Sequence, residues 1–241
     1  MSDSVKVPSG PAEVGHLHAD VSGGALRASV FGAMDGLVTN IALVAGVGAA
    51  GAPARFVILT GLAGLVAGAF SMAMGEYTSV RTQNEQVDRE WAKEVQEIRK
   101  NVVAETRELA AMFRSMGMSK GTAATAAAEV HSDPDRAALV HVTHELGLDP
   151  REKPSPRVAA GSSFATFSLG AIIPLIPYLL GYASLAAGLA IGAVGLFVAG
   201  SLASMATVVP WWLSGLRQLG FGAIAAGATY VVGTLLGVGV I

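Results

Sequence analysis

The chain alternates long apolar runs with one polar stretch. Five segments each contain the roughly 20 mainly apolar residues that a helix needs to cross a bilayer. They lie at about 28–50, 55–80, 158–181, 184–209 and 218–241. Between the second and third segments, residues 81–157 are polar but carry apolar residues at helical spacing. The pattern predicts an all-α membrane protein with five transmembrane helices and a helical insertion between spans two and three.

Within the insertion, two apolar stripes and two further helical stretches predict three or more short helices. The stripes comprise Trp91, Val95, Ile98 and Val102, and then Leu109, Met112, Phe113 and Met116. Gly117 ends the second stripe, and 120–132 and 134–147 are helical in pattern. Four regions follow: a flexible tail at 1–25 without a secretory signal, spans at 26–80, the module at 81–157, and spans at 158–241.

Composition and charge agree with a membrane protein. Of the 241 residues, 52% are hydrophobic and the mean hydropathy is +0.53, which is too apolar for an ordinary soluble domain. The net charge of −2, with no basic face interleaved with aromatics, argues against a nucleic-acid partner. The absence of cysteine excludes thiolate metal sites and cysteine nucleophiles.

The distribution of basic residues predicts the orientation. Twelve of the 16 Lys and Arg residues fall within 81–157, and Arg55 is the one basic residue on the opposite side of the predicted membrane. Because basic residues are retained in the cytoplasm, the N-terminus and the 81–157 module are expected there. The Ala- and Gly-rich composition favours a bacterial plasma membrane.

Four residues within the first two spans are candidates for an ion pathway: Asp35, Thr39, Met72 and Glu76. Asp35 is expected about 12 Å in from Arg27, with Thr39 one turn further on the same face. Met72 and Glu76 share a face of span two, and Met72 is expected at a depth similar to that of Asp35. A buried carboxylate usually faces a bundle interior, a partner or an aqueous path. The alternatives are a structural carboxylate at Asp35, a packing methionine and an interfacial Glu76.

A second group of candidates lies in the insertion. Its acidic positions are Glu94, Glu97, Glu105 and Glu108, and His141 and Glu145 are one turn apart further on. Carboxylates with an imidazole suit Fe²⁺, Mn²⁺ or Zn²⁺. On an unbroken helix Glu94 and Glu105 would be about 16 Å apart, so either the chain bends near residues 100–101 or the two pairs bind different ions. Alternating acids and bases are equally typical of a solvated helix.

Four segments are distinctive when taken together: FGAMDGLVTN in span one, GLVAGAFSMAMGEYTSVRTQ at the end of span two, the acidic insertion, and RQLGFGAIAAGATYVVGTLLG in span five. In these segments the chain resembles the vacuolar iron transporter family. The resemblance covers about residues 26–241 and implies a five-span homodimer, embedded in a lipid bilayer, that exports Fe²⁺, and often Mn²⁺, from the cytoplasm in exchange for protons.

The resemblance also implies roles for residues. Asp35 and Met72 match the intramembrane metal path of the family. The glutamates of its cytoplasmic metal-binding helices match Glu94, Glu97, Glu105, Glu108 and Glu145. Where methionine would be expected in the last of those helices, this chain has His141 and Val142.

Two other functions stay open. In the first, the central helices form a carboxylate-bridged di-iron oxidase on a membrane anchor, although Glu-x-x-Glu occurs twice and Glu-x-x-His is absent. In the second, the chain is a metal-independent membrane scaffold. The favoured interpretation is a transporter that is not an enzyme, with no catalytic residue and no prosthetic group.

Overall fold

The computed structural model describes residues 24–147, 150–151, 153–206 and 208–237, without the side chains of residues 145, 146 and 206. Most of the predicted tail at 1–25 therefore lies outside the described residues. Described helices are α1 (Gly24–Ala49), α2 (Ala54–Lys100), α3 (Val102–Ser115), α4 (Lys120–Val130), α5 (Pro134–Leu146), α6 (Pro156–Ile172), α7 (Ile176–Leu179), α8 (Leu185–Ala203) and α9 (Trp211–Gly237). A 3₁₀ turn, Ile173–Leu175, joins α6 to α7, and another, Ser204–Ala206, follows α8.

The predicted all-α class and the five spans are confirmed. Five helical segments are long and apolar enough to cross a membrane: α1, the first part of α2, α6 with α7, α8 and α9. The described residues contain no strand. The largest boundary difference is at span five, which begins at Trp211 instead of 218. Pro210 precedes it and accepts hydrogen bonds from the amides of Leu213 and Ser214, so the helix starts there.

Helix α1 is the centre of the membrane bundle and contacts α2, α6, α8 and α9. The approach of α1 to α6 is close because Gly32 and Gly36 on α1 face the α6 backbone, and Gly170 on α6 faces the carbonyl of Ala33. A Cβ at any of these glycines would collide with backbone atoms that cannot move independently. Backbone contact of this kind is typical of membrane helices, where small residues allow tight packing.

Two polar side chains connect α1 to its neighbours. Asn40 is fully buried, and its Nδ2 donates to the carbonyl of Gly61 on α2 at 3.1 Å and to that of Ala171 on α6 at 2.6 Å. On the other side, Thr229 of α9 donates through Oγ1 to the carbonyl of Ala42 at 2.6 Å. These bonds hold three helices around α1 where lipid offers no competing partner.

Helix α2 continues far beyond its apolar part. Its 47 residues span about 70 Å, more than twice the roughly 30 Å of a hydrocarbon core. The second half packs against α5 through Trp91, Val95 and Ile98, which meet Ala137 and Ala138. Helices α3 and α4 pack on each other. The insertion is thus a four-helix unit whose first helix extends directly from a membrane span.

Local sequence signals define the short helices of the insertion. Ser119 caps α4 by accepting from the amide of Thr122 at 3.2 Å, and Asp133 caps α5 by accepting from the amides of Asp135 and Arg136. Gly147 ends α5 in the left-handed conformation, with φ of 65°. These caps explain why the predicted helices at 120–132 and 134–147 match α4 and α5 closely.

Candidate metal centre

A single residue, Asn101, interrupts the helix between α2 and α3. Its φ and ψ are −128° and 37°, so it is not helical, and its side-chain Nδ2 donates to Glu97 Oε2 at 3.2 Å. Its carbonyl accepts the amides of Ala104 and Glu105 and so starts α3. Asparagine favours such positions because its amide competes with helical backbone bonds. Of the two alternatives that the sequence allowed, the chain therefore has the bend near residues 100–101. The non-helical segment is one residue long.

The bend brings together three side chains that could hold a metal: Glu94 on α2, Glu105 on α3 and His141 on α5. One ligand atom from each lies within 4.8 Å of the others. His141 Nδ1 is 3.2 Å from Glu94 Oε1 and 4.0 Å from Glu105 Oε2. Ligand atoms that share one ion at about 2.1 Å lie roughly 3.0–3.4 Å apart. The cluster thus needs only a small contraction to surround an ion.

Burial keeps the imidazole of His141 neutral. The residue is fully buried, while the side chains of Glu94 and Glu105 are 16% and 15% exposed. Desolvation lowers the pKa of His141 below its ordinary value of 6.5; the nearby His131 and His144 act in the same direction, and Glu108 opposes them. Neutral imidazole is the form that binds metals. The site therefore offers a buried nitrogen donor at neutral pH.

The other predicted ligands of the insertion lie apart from this cluster. Glu97 is half-buried and accepts the hydrogen bond of Asn101. Glu108 is exposed, although its charge reaches His141. The side chain of Glu145 lies outside the described residues, and its backbone is in the last turn of α5. Of the predicted set, the described structure brings together Glu94, Glu105 and His141.

The residues predicted for the intramembrane path lie on α1 and α2. Asp35 is half-buried and accepts from Thr39 Oγ1 at 3.4 Å. Met72 packs against the cluster of Ala69, Phe167 and Ala171 between α2 and α6. Met72 is therefore a packing residue, whether or not it also binds metal. Among the described residues, Asp35 joins no group of three potential metal ligands.

Glu76 has a partner that sequence reasoning missed. It is 7% exposed, and its Oε2 lies 2.8 Å from Arg27 Nη2 at the start of α1. The arginine, whose side chain is 63% exposed, reaches in to this buried carboxylate. No linear spacing connects two residues 49 positions apart, because the packing of α1 on α2 creates the pair.

His131 lies beside His141, a contact that the sequence does not predict. The residue is half-buried, and its ring centroid is 5.2 Å from that of His141 with the planes nearly perpendicular. His131 follows α4 directly, whereas His141 lies two turns into α5. Only the packing of the two helices places the rings side by side, so the sequence carried no signal for it.

Comparison with known proteins adds to this geometry. The chain matches the model of the VIT family over residues 26–234. It is 32% identical over 161 residues to vacuolar iron transporter 2 of Oryza sativa subsp. japonica. The aligned region covers 66% of this chain and 64% of that protein. Vacuolar iron transporter 1 of the same plant is 28% identical over 89% of this chain and 88% of its own.

A third relative, VIT-like transporter 1b of Glycine max, is 32% identical over 88% of this chain and 76% of its own. These relatives are named as transporters, in agreement with the expectation that the chain is not an enzyme. The family model extends across α1 to α9 and includes both the membrane bundle and the helices that carry Glu94, Glu105 and His141. With five spans, an acidic helical insertion and a match over nearly its whole length, the chain belongs to the VIT family.

Proposed function

We propose that this protein transports divalent iron, and also manganese, out of the cytoplasm in exchange for protons. The observation that carries the proposal is the cluster of Glu94, Glu105 and His141 on a chain with five membrane spans. Oxygen and imidazole donors together suit Fe²⁺, Mn²⁺ and Zn²⁺. The naming of the relatives as iron transporters supports iron as the cargo.

In this proposal the insertion, residues 81–157, collects the ion on the cytoplasmic side. Glu97, Glu108 and Glu145 contribute further carboxylates around the cluster or a second ion position. The electrostatic effect of Glu108 on His141 supports this role, because it requires Glu108 to lie nearby. The module is a continuation of α2, on which Glu94 lies 18 residues, or about 27 Å, from Glu76, so an ion released from the cluster must travel along the helix to reach the span that carries Met72 and Glu76.

The ion would then pass Glu76 and reach the layer of Asp35, Thr39 and Met72. Arg27 holds the buried carboxylate of Glu76 before the ion arrives. A cation that binds there must displace the guanidinium, which is largely exposed and can move outward. Asp35 is the one carboxylate within α1. Because a charge inside the membrane is energetically costly, such a residue usually has a function.

Proton exchange follows from the chemistry of the ligands. A carboxylate binds a metal only when it is deprotonated, so protons and metal compete for the same oxygens. If the outer side is more acidic, protonation of Asp35 from that side weakens the site and releases the ion. The proton then returns with the empty carrier, which couples metal export to proton entry.

The assembly proposed is a homodimer in a lipid bilayer. Large apolar side chains such as Leu169, Ile224 and Leu235 are 67–73% exposed on the single chain. Such a surface requires lipid or a second copy to cover it. The charge distribution supports a cytoplasmic N-terminus and module. A bacterial plasma membrane remains a prediction from composition, whereas the relatives are named for the vacuole.

The experiment that tests the function is uptake of Fe²⁺ and Mn²⁺ into proteoliposomes with an acidic lumen, while the luminal pH is recorded. We expect uptake accompanied by loss of luminal protons. Asp35→Asn, which keeps the shape and removes the charge, should abolish both, whereas Glu129→Gln on the exposed face of α4 should leave both unchanged. Absence of uptake by the natural protein would refute the transporter proposal.

The two alternatives make different predictions in the same preparation. An oxidase would consume oxygen when Fe²⁺ is added, and a scaffold would bind no divalent metal. The described cluster offers two carboxylates and one imidazole at one point, whereas a di-iron site usually has Glu-x-x-His from each of two helices. The structure adds no observation that favours either alternative over transport.

A further inference from the structure

His131 presents a nitrogen that the proposed site has not yet used. Its Nδ1 lies 3.0 Å from the carbonyl of Ala127, one turn back on α4. A carbonyl oxygen can only accept, so Nδ1 carries the proton in this bond. In the neutral ring Nε2 is then unprotonated and presents a lone pair. A hydrogen bond from one nitrogen to a backbone carbonyl is the usual way in which a metal-binding histidine is oriented.

The Nε2 atom is buried and accepts no hydrogen bond from any residue that the structure describes. A buried acceptor without a donor is destabilising, because it has lost its hydrogen bonds to water and gained none in the protein. A metal ion would satisfy a lone pair in this position. The ring lies 5.2 Å, between centroids, from His141, whose Nδ1 belongs to the cluster with Glu94 and Glu105.

Glu94 on α2, Glu105 on α3 and His141 on α5 place their ligand atoms within 4.8 Å of one another. His131, the C-terminal cap of α4, lies outside that 4.8 Å group, so its ring must shift toward the cluster before Nε2 can reach the same ion. With His131 included, each of the four helices of the insertion would contribute one donor. We infer that His131 Nε2 is a ligand of the same metal ion, so that the ion is bound by two imidazoles and at least two carboxylates. This inference rests on the proposed metal site and specifies its chemistry.

The second imidazole has a consequence for selectivity. Imidazole favours the later divalent ions over Mn²⁺ more strongly than carboxylate does. A site with two imidazoles should therefore prefer Co²⁺ to Mn²⁺ by a wider margin than a site with one. Loss of His131 should narrow that margin by about tenfold, mainly through weaker Co²⁺ binding.

The test uses the full-length protein in detergent, with Mn²⁺ and Co²⁺ as probes. Electron spin echo measurements on bound Mn²⁺ count the coordinated imidazole nitrogens, and equilibrium dialysis gives both affinities. The natural protein should show two nitrogens. His131→Phe, which keeps a ring against His141, should show one nitrogen, together with an approximately tenfold fall in the ratio of Co²⁺ to Mn²⁺ affinity.

Two further variants separate ligation from packing. His131→Asn keeps a donor near the position of Nδ1 and removes Nε2, so it should also show one nitrogen. His144→Phe, at an exposed position on α5, should retain two. One nitrogen in the natural protein, unchanged in His131→Phe and lost in His141→Phe, would overturn the role of His131 and leave the site intact. Failure of the natural protein to bind either ion would instead remove the metal site itself.

Discussion

Glu94 and Glu105 both approach Nδ1 of the buried His141, at 3.2 Å and 4.0 Å, and each should contribute to metal binding. Glu94→Gln or Glu105→Gln keeps the shape of the side chain and removes its charge. We expect each to weaken Mn²⁺ binding to the full-length protein by about tenfold or more, because an amide oxygen is a poorer ligand than a carboxylate. Equilibrium dialysis measures the change. Glu129→Gln should bind as the natural protein does, and equal affinities for all variants would contradict the assignment.

His141 should titrate below the ordinary histidine value of 6.5, because burial disfavours its charged form. Its protonation then competes with metal only as the pH falls through that lowered pKa, which is a lower pH than for an ordinary histidine. Histidine-labelled NMR of the metal-free protein gives the midpoint, with the resonance assigned by its loss in His141→Gln. A midpoint at or above 6.5 would refute the expected direction.

At the residue scale, the identities of Glu94, Glu105 and His141 could be predicted because carboxylates and histidines at helical spacing are visible in the sequence. The partners of these residues could not. Arg27 and His131 carry no local pattern that marks them, since each meets its neighbour across a helix interface. Contacts between distant residues depend on how the helices pack, which one linear sequence does not show.

The break between α2 and α3 is an element-scale property that determines whether the site exists. Asn101→Ala removes the bond to Glu97 and supplies the best helix former, and so favours a continuous helix with Glu94 and Glu105 about 16 Å apart. We expect Mn²⁺ affinity to fall about fivefold, which corresponds to roughly 1 kcal/mol. Gln96→Ala, at an exposed position on α2, is the matched control. An unchanged affinity for Asn101→Ala would show that the break does not depend on the asparagine.

The contact between α1 and α6 gives a second prediction at this scale. A Cβ at Gly170 would meet the backbone of Ala33, whereas one at Gly161 on the same helix meets no described atom within 4 Å. Gly170→Ala should therefore destabilise the protein by about 1–3 kcal/mol, and Gly161→Ala should be neutral or slightly stabilising. Thermal unfolding in detergent compares them. Equal melting temperatures for the two variants would show that α1 and α6 accommodate the added methyl group at position 170 without loss of stability.

The small-residue pairs illustrate what a pattern leaves open. The pairs Gly64–Gly68, Gly188–Gly192 and Gly233–Gly237 predict close helix contacts in the sequence, either within one protomer or at a dimer seam. In the structure all three pairs face neighbouring segments of the same chain; Gly233, for example, faces the backbone of Gly46. Spacing identifies a surface for close approach but not the helix that approaches it.

On the scale of the whole molecule, the proposed orientation can be tested cleanly because the chain contains no cysteine. Gly121→Cys places one thiol on the exposed surface of α4, and Ala183→Cys places one in the turn before α8. With the insertion in the cytoplasm, a membrane-impermeant maleimide applied to intact cells should label position 183 and spare position 121. Permeabilised cells, in which both should react, are the control. The reverse pattern would invert the topology and the direction of transport.

The sequence by itself determined the helical class, the five spans, the boundaries of α4 and α5 and the residue types of the candidate metal site. Each of these depends on local composition, periodicity or capping, and these properties are set by residues that lie close together in the sequence. Tertiary structure alone decided that Asn101 folds Glu105 back toward Glu94, that His141 and His131 meet beside them, and that Arg27 holds Glu76. These are contacts between helices, and they form only when buried surfaces on separate elements fit each other.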